Sequence, residues 1–183
     1  MKPTIELCDF RMRPTGAGDA GFLLRLLTTP EVRRYLCDNR VLGGDEISGI
    51  LADSRHHDSK GLGVWVVEAE HGEPVGIVGL APVSGPLEFL PDMTGKIEPT
   101  IALDPRYWGR GLAKTALLAV VRYACVTLGL SKLVASVDEP NEDSHRLLTA
   151  CGFERSGTVA GIAYDLVVYE ISFDRSGMRG GCS

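Results

Sequence analysis

The first half of the chain changes its hydrophobic period several times, which predicts short strands mixed with helices. Residues 5–12 have a β-type pattern and predict the first strand, whereas the apolar residues of 20–27 recur at helical intervals of three and four. Thr29 before Pro30, and Gly44 at the start of a later segment, are helix start signals. The predicted elements are strand 5–12, helices starting near residues 20, 30 and 44, and a hairpin of strands 64–68 and 75–80.

The second half is dominated by one long amphipathic segment. Apolar residues repeat at three and four from Gly111 to Leu128, and Gly129 supplies a helix stop signal. Residues 82–91 contain many turn formers and predict a surface loop with an apolar tip that includes Leu87. The other predicted elements are strands 96–103 and 133–137, helix 142–150, and strands 153–159 and 162–173. This order of elements predicts a mixed α/β (α+β) fold.

Length and composition indicate the number of domains and the cellular environment of the protein. The chain has 183 residues, 44% hydrophobic and 23% charged, which suits one domain over residues 1–174 followed by a flexible tail, 175–183. No apolar run approaches the roughly 20 residues of a membrane span and the start lacks a signal-peptide core, so we expect a cytoplasmic protein that binds no membrane. The net charge of −5 argues against nucleic acid as a partner. Five scattered cysteines predict reduced thiols and no metal site.

A glycine-containing turn at 104–113 carries the strongest chemical signal. It lies between a predicted strand and the long helix, and Gly109 and Gly111 flank Arg110. Glycines allow a close approach of the backbone to a ligand, and N–H groups at a helix start favour an anion. The turn therefore predicts a phosphate site. It is not a P-loop, since Ala113 stands where that motif needs glycine, and Lys114 replaces the third glycine of a dinucleotide turn.

A second pattern follows about thirty residues later, with Asn141 and Ser144 in Asn-x-x-Ser and then Gly152-Phe153. Together with the glycine turn, it resembles the GNAT acetyltransferases, and within them the RimJ/RimL-like branch, over about residues 5–173. The resemblance implies a twisted mixed, mostly antiparallel sheet of about seven strands flanked by helices. Strands four and five, here 96–103 and 133–137, should splay apart to admit the pantetheine arm of acetyl-coenzyme A, the expected cosubstrate.

The resemblance also implies the residues that bind the coenzyme. The loop amides should hold its pyrophosphate, main-chain groups of the fourth strand should pair with pantetheine, and Asn141 and Ser144 should face the thiol end. The predicted residues are Ile101, Ala102, Leu103, Trp108, Gly109, Arg110, Gly111, Leu112, Ala113, Asn141 and Ser144. Two alternatives stay open: Asn141 as a helix N-cap, and Trp108 as an aromatic that packs the loop.

Amine acetylation needs a base, because only the unprotonated amine attacks a thioester. By its position on the fourth strand the resemblance assigns this role to Glu98, against the alternative of a solvated surface charge. Pro99 removes a backbone donor, so the strand should begin late, lie at an edge or carry a bulge. The family often has a Tyr at the position of Leu148, so Ser144 or water is expected to supply the hydrogen bond to the leaving sulfur.

The predicted function is therefore acetyl transfer from acetyl-coenzyme A to a primary amine by direct attack in a ternary complex. The acceptor is a small molecule, an amino acid or a protein N-terminus, and the protein is a monomer or homodimer. Alternatives are a non-catalytic coenzyme A sensor with the same fold and, last, a nucleotide-binding module. His57, in the segment expected to form the acceptor pocket, is a candidate substrate contact, whereas His145 is expected to be a solvated helix residue.

Overall fold

The computed structural model describes residues 1–90 and 92–173. The helices are α1 (Ala20–Thr28), α2 (Pro30–Leu36), α3 (Gly44–His57), α4 (Leu112–Val126) and α5 (Glu142–Ala150). The strands are β1 (Ile5–Glu6), β2 (Arg11–Pro14), β3 (Gly63–Glu68), β4 (Pro74–Pro82), β5 (Ile97–Leu103), β6 (Lys132–Asp138), β7 (Glu154–Val159) and β8 (Leu166–Ser172). Short 3-10 helices fill several of the connections.

The helix start signals in the sequence are confirmed. Helix α2 begins at Pro30, whose fixed φ suits the first helical position, and α3 begins at Gly44. Helix α4 begins directly after Gly111 and ends three residues before Gly129, both of which have positive φ. These helices therefore start and stop where local backbone chemistry allows it.

The predicted first strand is wrong in one respect, because residues 5–12 form two strands and not one. The chain reverses at residues 8 and 9, where the Leu7 N–H donates to the Phe10 carbonyl (3.0 Å). Strands β1 and β2 then pair antiparallel, and Met12 is fully buried. The alternating pattern did not reveal the turn, since both arms of a tight hairpin keep the period of two.

The eight strands form two sheets. The first has the order β1-β2-β3-β4-β5 and the second the order β6-β8-β7, and all their ladders are antiparallel. Within residues 1–90 and 92–173, no ladder joins β5 to β6, although each is the last strand of its sheet on that side. These are the fourth and fifth strands predicted to splay apart, so the expected separation is confirmed.

The two faces of the first sheet have different partners. On one face Leu117 and Val120 of α4 share a core with residues of both sheets, including Val78 of β4 and Leu133 of β6, and so α4 holds the sheets together. On the other face α1, α2 and α3 pack against the sheet through Ile77 of β4 and Ala102 of β5. Even-numbered residues of β5 therefore point towards the layer of α1 to α3, since side chains alternate along a strand.

Two peripheral predictions have different outcomes. The apolar tip expected in 82–91 packs inward, since Leu87 is 1% exposed. The predicted tail, 175–183, lies outside the described residues and stays a prediction. Among the described residues, every helix is too short or too polar to cross a membrane.

Candidate active site

The first part of the loop after β5 is fixed by side-chain hydrogen bonds. Asp104 accepts from the Arg106 N–H (2.9 Å), and the Tyr107 hydroxyl donates to Glu73 Oε2 (2.9 Å) in the β3–β4 turn. The Trp108 indole Nε1–H donates to the Leu103 carbonyl (2.8 Å) at the end of β5. These contacts hold the loop against the sheet before it enters α4.

The second part of the loop presents main-chain donors. Gly109 and Gly111 have φ values of 73° and 78°, and a Cβ at either would have no neighbour within 4 Å, so the space before them is open. In the described part of the chain, the N–H groups of residues 109–114 have no protein acceptor, and the first helical bond is Thr115 N–H to Gly111 O (3.1 Å). Six donors at the start of α4 suit an anionic group.

Both donors of Trp108 are used within the loop. Its backbone N–H donates to the Pro105 carbonyl (3.1 Å) and its indole donates to Leu103, while 46% of the residue stays exposed. The polar contacts of Trp108 therefore agree with the interpretation that this residue packs the loop. The neighbouring Arg110 is exposed, and its guanidinium lies 5.1 Å from the ring centre of Tyr107.

Strand β5 has one free side. The Asp104 N–H donates to the Val75 carbonyl, and the Lys96 carbonyl accepts from Val83, so even-numbered residues direct their main-chain groups at β4. Odd-numbered residues direct theirs at the open edge, towards β6. Among the three predicted pantetheine partners, Ile101 and Leu103 thus face the opening, whereas the main-chain groups of Ala102 face Ile77 of β4.

Pro99 is accommodated because it lies on this edge. It pairs with Leu80 of β4 without a shift in register, so of the three predicted ways to place it the structure has the edge and not the bulge. Its missing N–H is on the open side and costs no ladder hydrogen bond.

Glu98 bridges the two separated sheets. Its Oε1 accepts from the backbone N–H of Ser136 (2.8 Å) and from the Ser136 hydroxyl (2.7 Å), where β6 runs beside β5. Burial raises the pKa of the Glu98 carboxyl above its usual value, and the two hydrogen bonds from Ser136 lower it in part. A carboxyl in this environment is a better proton acceptor near neutral pH than a solvated one, which suits a general base.

The start of α5 brings the two predicted thiol-end residues together. Asn141 is the N-cap, and its Oδ1 accepts from the Ser144 N–H (3.3 Å), so the capping interpretation is confirmed. Ser144 is half-buried. Leu148, at the position of the frequent family Tyr, is packed in the core next to α4.

One histidine differs from the expectation. His145 is not simply solvated: its Nδ1 lies 2.9 Å from the Tyr169 hydroxyl, and its Nε2–H donates to the Glu139 carbonyl (2.9 Å). His57 is at the end of α3, where its Nδ1 lies 3.0 Å from the Asp53 carbonyl, and nothing in its contacts joins it to Glu98.

Sequence reasoning missed two residues of β6, Ser136 and Asp138. Ser136 holds Glu98, and Asp138 is the last residue of the same strand with 7% of its surface exposed. The signal was available, because two polar residues alternate with buried apolar ones in Lys132–Asp138. Such alternation indicates a second face that does not belong to the apolar core.

Comparison with known proteins agrees with this geometry. Residues 9–154 match the model of the acetyltransferase (GNAT) domain. FsC-acetyl coenzyme A-N(2)-transacetylase of Aspergillus fumigatus is 31% identical over 156 residues, covering 82% of this chain and 65% of that protein. The chain thus spans slightly less than two thirds of the length of that relative.

Solved structures show the same fold. A GNAT-family acetyltransferase from Bordetella pertussis has a TM-score of 0.80 at 20% identity, with 92% of this chain and 99% of that chain covered. Spermidine N-acetyltransferase from Vibrio cholerae, solved with CoA and spermine, has a TM-score of 0.72 at 22% identity, with 90% and 95% covered. With a family model that spans most of the sequence and this shared architecture, the chain belongs to the GNAT acetyltransferases, a family of enzymes that transfer an acetyl group from acetyl-coenzyme A.

Proposed function

We propose that this protein acetylates a primary amine from acetyl-coenzyme A by direct attack in a ternary complex, with Glu98 as the base. The observation that carries the proposal is the position of Glu98, a largely desolvated carboxylate at the junction of β5 and β6. It lies on the face covered by α1 to α3, opposite the core that contains α4. An amine that enters from the helical layer therefore meets a base at the point where the two sheets separate.

The coenzyme fits the groups that remain free. The unpaired N–H groups of 109–114 suit its pyrophosphate. The main-chain groups of Ile101 and the N–H of Leu103, whose carbonyl is bonded to Trp108, suit the amides of its pantetheine arm. We assign Gly109, Arg110, Gly111, Leu112 and Ala113 to the pyrophosphate through their amides. The side-chain oxygen of Asn141 is used in the N-cap of α5. Its amide NH2 and the Ser144 hydroxyl are left to contact the thiol end of the coenzyme.

The residues of this chain then divide the chemistry. Glu98 accepts the proton that the amine loses as its nitrogen bonds to the acetyl carbon and the carbon–sulfur bond breaks. The Ile101 N–H, on the open edge, is a donor for the carbonyl oxygen, and Ser144 hydrogen-bonds the departing sulfur. Positioning of the amine beside the thioester supplies the remaining acceleration.

The amine class has support from relatives, whose names include an N(2)-transacetylase and a spermidine N-acetyltransferase. We assign the chain to the RimJ/RimL-like branch because of the loop together with Asn141 and Ser144. A cytoplasmic location, and a monomer or homodimer as the active form, stay predictions.

Calorimetry with acetyl-coenzyme A, with ATP and NAD as controls, tests the binding half of the proposal. Release of free thiol on a panel of primary amines tests the chemical half. Glu98→Gln should bind the coenzyme as the wild type does and lose most of its turnover, since the amide keeps an acceptor for Ser136 but takes no proton. No binding of acetyl-coenzyme A refutes the proposal.

A coenzyme sensor without catalysis is the second candidate, favoured by the apolar Leu148 in the core next to α4. It requires selective coenzyme binding without thiol release on any amine, and identical behaviour of wild type and Glu98→Gln. Turnover that depends on Glu98 excludes it.

A further inference from the structure

Asp138 is a buried charge without a protein partner. It ends β6 and is 7% exposed. Its backbone carbonyl accepts from the Asn141 N–H (2.8 Å), but its carboxylate forms no hydrogen bond or ion pair with the other described residues. The other buried polar residues each have partners in the same part of the structure: Lys2 with Asp58, Asp19 with Arg13, Ser54 with Val64, and Glu68 with Arg11 and Arg13. Burial of an ionised carboxylate without a partner costs on the order of several kcal/mol. Asp138 therefore differs from the other buried polar residues, whose side chains are all paired.

The side chain of Asp138 faces the cleft that contains Glu98. Along β6, Ala135 and Val137 enter the core beside α4, so Ser136 and Asp138 point to the opposite face. Ser136 contacts Glu98 on that face, and alternate residues of a strand are about 7 Å apart. Among the described residues, no fully enclosed side-chain oxygen or nitrogen lacks a partner, so the Asp138 carboxylate oxygens keep some contact with solvent.

Burial and, to a smaller extent, the charge of Asp38 in the α2–α3 connection raise the pKa of the Asp138 carboxyl. Two aromatic rings lie where α2 meets the loop before α5: the Tyr35 hydroxyl donates to the Pro140 carbonyl (3.4 Å), and the Tyr164 ring is centred 6.2 Å from that of Tyr35. The cation of Arg34 stacks on Tyr35, and within the described part of the chain it forms no ion pair with Asp138.

A metal ion is a poor fit for this site. The described residues contain no group of three or more His, Cys, Asp or Glu side chains that is able to hold one. A carboxylate two residues from the Tyr35 contact at Pro140 suits an organic cation better, because an ammonium group gains from both the charge and the aromatic rings.

We propose that Asp138 binds a second ammonium group of the acceptor, so that the acceptor amines are diamines and related polycations. The proposal rests on the acetylation of amines at Glu98. The reacting amine lies near Glu98, which contacts Ser136, and the second ammonium group lies at Asp138, two residues further along β6. This spacing sets a separation of about 5 to 8 Å between the two nitrogens of the acceptor. Acceptors without a second ammonium group leave Asp138 unpaired, and the enzyme discriminates against them for that reason.

Matched acceptors isolate the second charge. Butane-1,4-diamine and butylamine have the same carbon chain and differ in one amine, so the wild type should show a much higher kcat/KM for the diamine. Asp138→Asn should lower kcat/KM for the diamine by about 30-fold or more, as expected for loss of one partner of a buried charge pair. The value for butylamine should change less than about threefold, because that acceptor makes no contact with Asp138.

Asp143→Asn is the matched control, because it removes the same charge from an exposed position on α5, where the Asp143 carboxylate pairs with Arg146. It should leave both acceptors unchanged. Asp138→Asn should fold at least as stably as the wild type, since it replaces an unpaired buried charge by a neutral group. Thermal unfolding checks that point. A peptide with N-terminal lysine and its norleucine counterpart extend the comparison to peptide acceptors.

A binding experiment separates this proposal from acetylation itself. Calorimetric titration of butane-1,4-diamine into protein saturated with unacylated CoA involves no reaction, and binding should be lost in Asp138→Asn and kept in Glu98→Gln. If no amine is acetylated but this binding is observed, the subsite stands and the catalytic proposal fails. Equal diamine preference in wild type and Asp138→Asn, or no preference for either dication over its matched monocation, overturns the subsite.

Discussion

Replacement of Ser136 by alanine should raise the pKa of Glu98 by about one unit. The substitution removes the 2.7 Å hydroxyl donor and leaves the 2.8 Å backbone donor in place. A hydrogen bond to a charged group contributes about 1.5 to 3 kcal/mol, and one pKa unit corresponds to about 1.4 kcal/mol. Partial replacement of the hydroxyl by water in the cleft brings the expected rise to the lower end of that range.

Carbon-13 NMR titration of the side-chain carboxyls measures this shift directly and needs no acceptor amine. Glu98→Gln identifies the Glu98 signal by its absence. Ser48→Ala is the control, since it removes a serine hydroxyl that is bonded to Gly44 on the exposed side of α3. In the wild type the Glu98 signal should titrate above the ordinary pKa of 4.5. In Ser48→Ala its pKa should equal that of the wild type, and in Ser136→Ala it should be about one unit higher than in the wild type.

The reasoning is refuted if Glu98 titrates at or below 4.5 in the wild type, or if Ser136→Ala leaves its pKa unchanged or lowers it. A kinetic consequence follows for the enzyme. Because activity needs the ionised carboxylate, the acidic limb of the kcat/KM profile should move to higher pH in Ser136→Ala by the same amount as the NMR titration.

Three further substitutions give separate tests. Gly111→Val should weaken acetyl-coenzyme A binding by about tenfold or more in calorimetry, whereas Gly129→Val, which suffers a similar positive-φ strain at the far end of α4, should lose stability and bind normally. Because the pKa of Glu98 is raised in the folded state, the folded protein holds a proton that the unfolded chain has lost between pH 4.5 and the folded pKa, and the contribution of Glu98 to the free energy of unfolding falls as pH rises through that window. In urea unfolding, the stability of Glu98→Gln relative to the wild type should therefore increase across the window and then level off. A stability difference that does not change with pH contradicts this. Asn141→Ala removes the cap of α5 and should cost about 1 kcal/mol, seen as a Tm lower by about 2 to 4 °C, with an unchanged Tm as the contrary result.

Local chemistry made most of the fold predictable. Helix α4 could be read from its apolar spacing and from Gly111 and Gly129, because these signals act within a few residues. Helix α5 could be read from Asn141 and its apolar positions for the same reason. The hairpin of β3 and β4 followed from two β-type runs around a turn, and the observed strands match it within two residues.

The candidate site was only partly predictable, because its contacts join distant parts of the chain. Glu98 was placed by resemblance, but its donor Ser136 is 38 residues away and no local pattern links the two. The bond from Trp108 to Leu103 depends on the loop conformation, which the sequence does not give. The use of the Ala102 main chain by β4 depends on register, which the apolar pattern of an edge strand constrains weakly.

Pro99 has a consequence for the chain during its synthesis. The first sheet is complete once residue 103 has been made, whereas the second sheet needs residues up to 172, so β5 is an uncovered edge for that interval. An uncovered edge invites pairing with strands of other molecules. Pro99 interrupts the row of donors in the middle of this edge, which makes the edge a poorer template for such pairing.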